Sequence, residues 1–254
     1  MAFFHKKETT PGGSEVLRHG EVRRGEMTAA VTPWAGDIER WMDKAFPGRR
    51  THVWHELVSE FFHLDVCVME PLPAEPYYVL YTSGMSALPM TLDNLPHGGK
   101  KYDYLRRAEL LCYLPAGWPV AAAGTSADAD EAAYWPVRML KTLARLPARC
   151  GTWLGAGHSV PNGDPMRPFK GAEGFAGAVL YLPDEGSGPR RVLPVQCADG
   201  TQIMLYVAVP VYEGEMNYKL AAGADALEER LRALPGGAGF IVTNGRPDVS
   251  KGEL

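Results

Sequence analysis

The run Ile203-Met204-Leu205-Tyr206-Val207-Ala208-Val209 is apolar on both faces of an extended chain. A strand of that kind is stable only when covered on both sides, which predicts a central position in a sheet. Asp199-Gly200 just before it is a turn signal, so it pairs in a hairpin with a strand read over Val192–Cys197. Strict alternation marks another strand from Leu64, with Leu64, Val66 and Val68 facing one way and Asp65, Cys67 and Met69 the other. Tyr77–Thr82, Glu109–Leu114, Gly177–Leu182 and Phe240–Thr243 complete the strand signals.

Helical spacing appears between these strands. Ile38, Trp41, Met42 and Ala45 recur after Asp37, read as a cap, and Pro47-Gly48 ends the pattern. A second helical pattern is read over Val53–Phe61. A third carries Val137, Leu140 and Ala144, with Pro136 near its first turn and Pro147 as its stop. The parallel stripe of Arg138, Lys141 and Arg145 reads as a solvated face. Tyr212, Met216 and Leu220 open a helix in which Glu215 can pair with Lys219. Asp225 with Glu228 resembles a capping box ahead of Leu227, Leu231 and Leu234.

Strands and helices in this irregular order predict an α+β fold: a mixed, largely antiparallel sheet with packed helices. Residues 1–27 lack apolar periodicity and read as a mobile tail, residues 28–254 as one domain, and Gly124–Ala133 as a surface loop.

Composition narrows the function. Lys and Arg number 26 against 30 acids, a formal charge of −4, and no basic block stands out. Nucleic acid is therefore not an expected partner. No stretch of 18 apolar residues could span a membrane, and the first residues are not a signal peptide. Cys67, Cys112, Cys150 and Cys197 are widely spaced, as reduced thiols are, and the expected location is the cytoplasm.

Three groups of residues could carry chemistry. His52, His55, Glu56, His63 and Asp65 are the densest set of metal-ligating types, although their order is not His-Glu-x-x-His. They support an alternative reading as a metal-dependent enzyme. Ser83 and Ser86 flank Gly84-Met85 but form no Gly-x-Ser-x-Gly elbow, and nothing places His158 and Asp164 beside them. Gly155-Ala156-Gly157-His158 is too short for a dinucleotide fingerprint, and no Walker loop exists. No catalytic residue and no cofactor is therefore expected. The third group, Trp153 through Asp164, sets an aromatic, a histidine and an amide on a loop rich in Gly and Pro, which suits recognition.

The run Tyr81-Thr82-Ser83-Gly84-Met85-Ser86-Ala87-Leu88-Pro89-Met90 resembles the T-S-G-M-S-D-L-P-M signature of bacterial suppressor-of-fused domain proteins, with Ala87 in place of the usual Asp. The resemblance extends to His55-Glu56, His63-Leu64-Asp65-Val66, Trp135-Pro136, Thr152-Trp153-Leu154-Gly155, the Gly157-His158 to Pro161-Asn162-Gly163 loop and Glu215-Met216-Asn217-Tyr218-Lys219-Leu220. It covers about residues 35–250. It implies a suppressor-of-fused-like α/β sandwich and a domain that binds another protein. Eukaryotic members clamp a partner peptide between two lobes. The 254 residues read as too few for the second lobe, so that clamp is not expected to carry over. Many bacterial relatives are associated with toxin systems as immunity proteins, and others have no assigned role. The expected function is thus a non-enzymatic protein-binding domain, an immunity protein whose partner is a toxin. The expected partner surface comprises Ser83, Gly84, Met85, Ser86, Trp153, His158, Asn162 and Gly163.

Overall fold

A computed structural model of the protein describes residues 8–19, 22–28, 31–56, 59–93, 95–120, 130–184, 189, 191–237 and 239–251. The short strand β1 (Met27–Thr28) is followed by helix α1 (Ala35–Ala45) and strands β2 (Thr51–Trp54), β3 (Ser59–Glu60), β4 (Asp65–Met69), β5 (Tyr77–Ser83) and β6 (Ala108–Pro115). Helix α2 (Glu131–Cys150) leads to β7 (Ser159–Pro161), β8 (Phe175–Tyr181), β9 (Val195–Gln196) and β10 (Gln202–Tyr212). Helices α3 (Glu213–Ala222) and α4 (Ala224–Arg232) follow.

One eight-stranded sheet organises the α+β fold, in the order β2-β4-β5-β6-β10-β8-β7 with β9 paired to β10. All of its pairings are antiparallel except the β6–β10 seam, where Met204 lies beside Ala108 and Val207 beside Leu111. β10 is central, as its two apolar faces require. The β9–β10 hairpin also forms, although β9 is only two residues long.

Side-chain alternation builds two cores, one on each face. On one, Ile38 and Met42 of α1, Met216 of α3 and Leu227 and Leu231 of α4 pack on Cys67, Met69, Tyr81, Leu111 and Val209. On the other, Trp135, Val137, Leu140 and Ala144 of α2 pack on Leu64, Val66, Val68, Leu80, Cys112 and Ala208. The two faces read from Leu64–Met69 thus lie in separate cores. Leu140 is wholly buried, so its truncation to Ala costs about 2–5 kcal/mol.

Several local expectations need correction. The described residues of Val53–Phe61 form no helix. Thr51-His52-Val53-Trp54 pairs with β4 as an edge strand, and residues 59–60 form β3, because cross-strand pairing outweighs the helical spacing of the apolar residues. Pro147 does not stop α2, which runs to Cys150 and closes on left-handed Gly151, whose N–H bonds the Pro147 carbonyl. The N-cap of α1 is Trp34 rather than Asp37. Gly223 caps α4 without a side-chain bond, so Asp225 and Glu228 form no capping box. Phe240–Thr243 makes one bridge, Ile241 to Tyr113, and no strand. Most of the Gly124–Ala133 loop expectation falls outside the described residues, and its last residues belong to α2. In the amino-terminal segment, Gly12 N–H bonds the Leu220 carbonyl and Arg23 N–H the Arg149 carbonyl, while β1 pairs with β3.

Candidate functional site

The β5–β6 pairing brings Glu109 beside the end of β5. Its carboxylate is fully buried and accepts four hydrogen bonds: from the Thr82 hydroxyl (2.6 Å), Gly84 N–H (3.0 Å), Ser86 N–H (3.0 Å) and the Ser86 hydroxyl (2.6 Å). Burial pushes the Glu109 carboxyl up, while those four donors pull against the shift. Arg107 adds bonds to the Ser86 (2.5 Å) and Ala87 (3.1 Å) carbonyls. The segment from Ser83 to Ala87 is therefore fixed by side chains as well as backbone. Gly84 lies at φ +142°, and a Cβ there would stand 2.1 Å from the His63 carbonyl oxygen. Only glycine fits.

This network changes what the loop can offer. Gly84, Met85 and Ser86 are buried and Ser83 is partly exposed, while Leu88 and Pro89 stand out in solvent. Met85, Leu88, Pro89 and Met90 line a largely apolar groove of about 230 Å³ together with Phe61, Phe62, Ala144 and Pro147, with Arg23 and Thr91 also in its lining. That volume is below the range of about 300–1,000 Å³ usual for small-molecule sites and suits one or two protein side chains.

Trp153 begins the second segment, joined to the first by Thr91 N–H on the Thr152 carbonyl (3.0 Å) and Leu154 N–H on Met90 Sδ (3.3 Å). The Trp153 and His158 rings meet edge to face, 4.3 Å between centroids. Burial and the nearby Lys219 ammonium push the His158 imidazole down to about 4, against a Trp153 backbone bond, so the ring is neutral at pH 7. Lys219 is itself buried and donates to the Ser159 hydroxyl (3.1 Å), not to Glu215. Asn162 Nδ2 donates to the Arg167 carbonyl (2.8 Å), and Gly163 is exposed beside it.

The cluster of metal-ligating types divides three ways. His52 bonds Glu70 (2.6 Å). Glu56 is held by Lys141 (3.0 Å), Arg145 and the Ser59 hydroxyl; burial raises its carboxyl, but these partners outweigh that and hold it low. Lys141 and Arg145 are thus not a solvated stripe, whereas Arg138 is exposed on Glu131 (2.7 Å). Only His55, His63 and Asp65 converge, with one potential ligand atom from each within 4.8 Å of the others.

The sequence reading missed Glu109 and Lys219. For Glu109 a signal exists, since a lone carboxylate within Ala108-Glu109-Leu110-Leu111 must find buried donors. Lys219 has none, because its partner Ser159 lies on another element.

The family model described as Suppressor of fused protein (SUFU) matches residues 62–247. The chain belongs to the suppressor of fused family. Solved structures agree on the fold. A suppressor of fused homolog from Neisseria gonorrhoeae is 14% identical, with 78% of this chain covering 88% of that one at a TM-score of 0.50. The Sufu–Fu complex gives 11% identity, 86% and 92% coverage, and a TM-score of 0.56. Drosophila Suppressor of Fused gives 12% identity and a TM-score of 0.52, and 85% of this chain spans 50% of that one. No curated protein matches the chain.

Proposed function

We propose that this suppressor of fused domain is a non-enzymatic protein-binding module that acts in the cytoplasm as an immunity protein, neutralising a bacterial toxin. The observation that carries the reading is the rigid Ser83–Ala87 segment walling an apolar groove beside exposed Leu88 and Pro89. A preformed surface binds with less ordering cost than a flexible one. We assign Trp153, His158, Asn162 and Gly163 to the same partner surface; the Thr91 N–H on the Thr152 carbonyl and the Leu154 N–H on Met90 Sδ tie the start of their segment to the groove wall.

The chemistry of the serines supports the non-enzymatic part. The Ser86 hydroxyl is buried and committed to Glu109, which leaves it no approach to a substrate. A protein partner accords with the family, in which one similar structure is a complex between Sufu and Fu. The net charge of −4 disfavours nucleic acid, and no helix among the described residues is long and apolar enough to cross a membrane.

Co-expression with a toxin encoded beside its own gene tests the reading. The wild-type chain is expected to restore growth, and Leu88→Asp and Trp153→Ala to lose that protection while remaining folded. Protection unchanged in both variants and in His158→Ala would remove this surface from the proposal. Turnover of a small compound by the pure protein, abolished by replacing one histidine or acid, would overturn the non-enzymatic reading.

A further inference from the structure

We infer that His55, His63 and Asp65 form a site for a single divalent transition-metal ion of the zinc class, independent of any partner. The sheet register creates the site. Trp54 pairs with Val66 across β2 and β4, so the next position sets His55 across from Asp65. On the other side Asp65 pairs with Ser83, and His63, two residues back, shares its face. One cross-strand step and one two-residue step along the chain therefore gather two imidazoles and a carboxylate.

Both rings aim at the same carboxylate. His63 Nε2 lies 2.8 Å from Asp65 Oδ1, and His55 Nδ1 lies 3.1 Å from Oδ2. Donors around a tetrahedral zinc ion with bonds near 2.0–2.1 Å stand about 3.3–3.4 Å apart, so small side-chain rotations open these contacts to admit the ion. The proton each ring directs at Asp65 then leaves or moves to its other nitrogen, and the neutral imidazoles bind through the freed lone pairs. Nitrogen and carboxylate donors suit zinc better than calcium or magnesium, which prefer oxygen alone.

The surroundings set the strength. His63 is buried, and its Nδ1 has no hydrogen-bond partner among the described residues, so the outer bond that usually orients a ligating histidine is missing. A site lacking that bond binds about 10–100-fold more weakly than one that has it, and micromolar affinity is the expected outcome. Glu56 does not join, being held by Lys141 and Arg145. With three protein ligands, a fourth position is left for water.

Calorimetric titration of the chelator-treated full chain with Zn²⁺ alone is expected to show one equivalent bound at micromolar affinity. His55→Ala, at a largely exposed side chain, should weaken binding about tenfold or more without affecting folding, and Asp65→Asn should do the same. His52→Ala should titrate like the wild type. Cobalt(II) should give a tetrahedral absorption band that His55→Ala removes. Zinc uptake unchanged in both His55→Ala and Asp65→Asn, or no saturable binding by the wild type at micromolar zinc, would overturn the inference.

Discussion

Glu109 takes both polar groups of Ser86, the backbone N–H at 3.0 Å and the hydroxyl at 2.6 Å, on one carboxylate oxygen. The other oxygen takes the Thr82 hydroxyl, so one side chain of β6 sets the exit geometry of β5. Glu109→Ala would strand buried donors at Thr82, Gly84 and Ser86, and is expected to cost on the order of 3 kcal/mol or more. Urea unfolding at pH 7 measures it. Glu109→Gln should cost less than Ala but remain destabilised, since its amide NH₂ confronts donors.

Glycine 84 should tolerate no side chain. Gly84→Ala forces a Cβ against the His63 carbonyl at an unfavourable φ, and a loss of about 2–4 kcal/mol is expected. At Gly200, also at positive φ but with nothing within 4 Å, Asn should be nearly neutral. Thermal unfolding of the two variants gives the contrast.

The Glu215–Arg246 pair is buried and bidentate, at 2.5 and 2.7 Å, and also receives Tyr212 N–H and Val249 N–H. Arg246→Ala leaves a buried carboxylate without its cation and should cost about 3–5 kcal/mol. Arg246→Lys should recover little, because an ammonium cannot reproduce the fork. The combined Glu215→Leu, Arg246→Met replacement should lose less than the two single changes added together, as chemical denaturation of the three variants would show.

His158 is held neutral, with its folded value near 4 against an ordinary value of 6.5. Its contribution is therefore complete above pH 6.5 and lost as pH falls through about 4. In His158→Phe, which keeps an aromatic ring beside Trp153, stability between pH 7 and pH 4 should fall less than in the wild type, by about 2–3 kcal/mol. Denaturant titrations at both pH values test the difference, and equal slopes would contradict it.

On α2, a double-mutant cycle separates the two ends of the basic stripe. Glu56 with Arg145, both largely buried side chains, should couple by about 1 kcal/mol or more, whereas exposed Arg138 with Glu131 should couple by less than about 0.5 kcal/mol.

The strands were legible where a period of two coincided with burial on both faces. β4, β5, β6, β8 and β10 all lie where alternation or continuous apolar runs place them. Residues 51–60 misled because Val53, Trp54 and Phe61 allow either period, and only the partner strand decides between them. Pro147 misled because proline removes one helical N–H without preventing a further turn. Among the site residues, the grouping of His55, His63 and Asp65 was legible as composition. The departure of His52 to Glu70 and of Glu56 to α2 depends on contacts between elements that spacing cannot encode. Likewise, the burial of the Ser83–Ser86 signature under Glu109 is a tertiary fact that spacing cannot encode.

The parallel seam between β6 and β10 has a bearing on how the chain is made. As it leaves the ribosome, everything up to Pro115 can assemble only half a sheet, with an unsatisfied edge of apolar β6. That edge waits until Gln202–Tyr212 has emerged, about a third of the chain later, before it can close. Shortened expression products ending ahead of Gln202 should therefore be recovered as insoluble material, however well their own elements are formed.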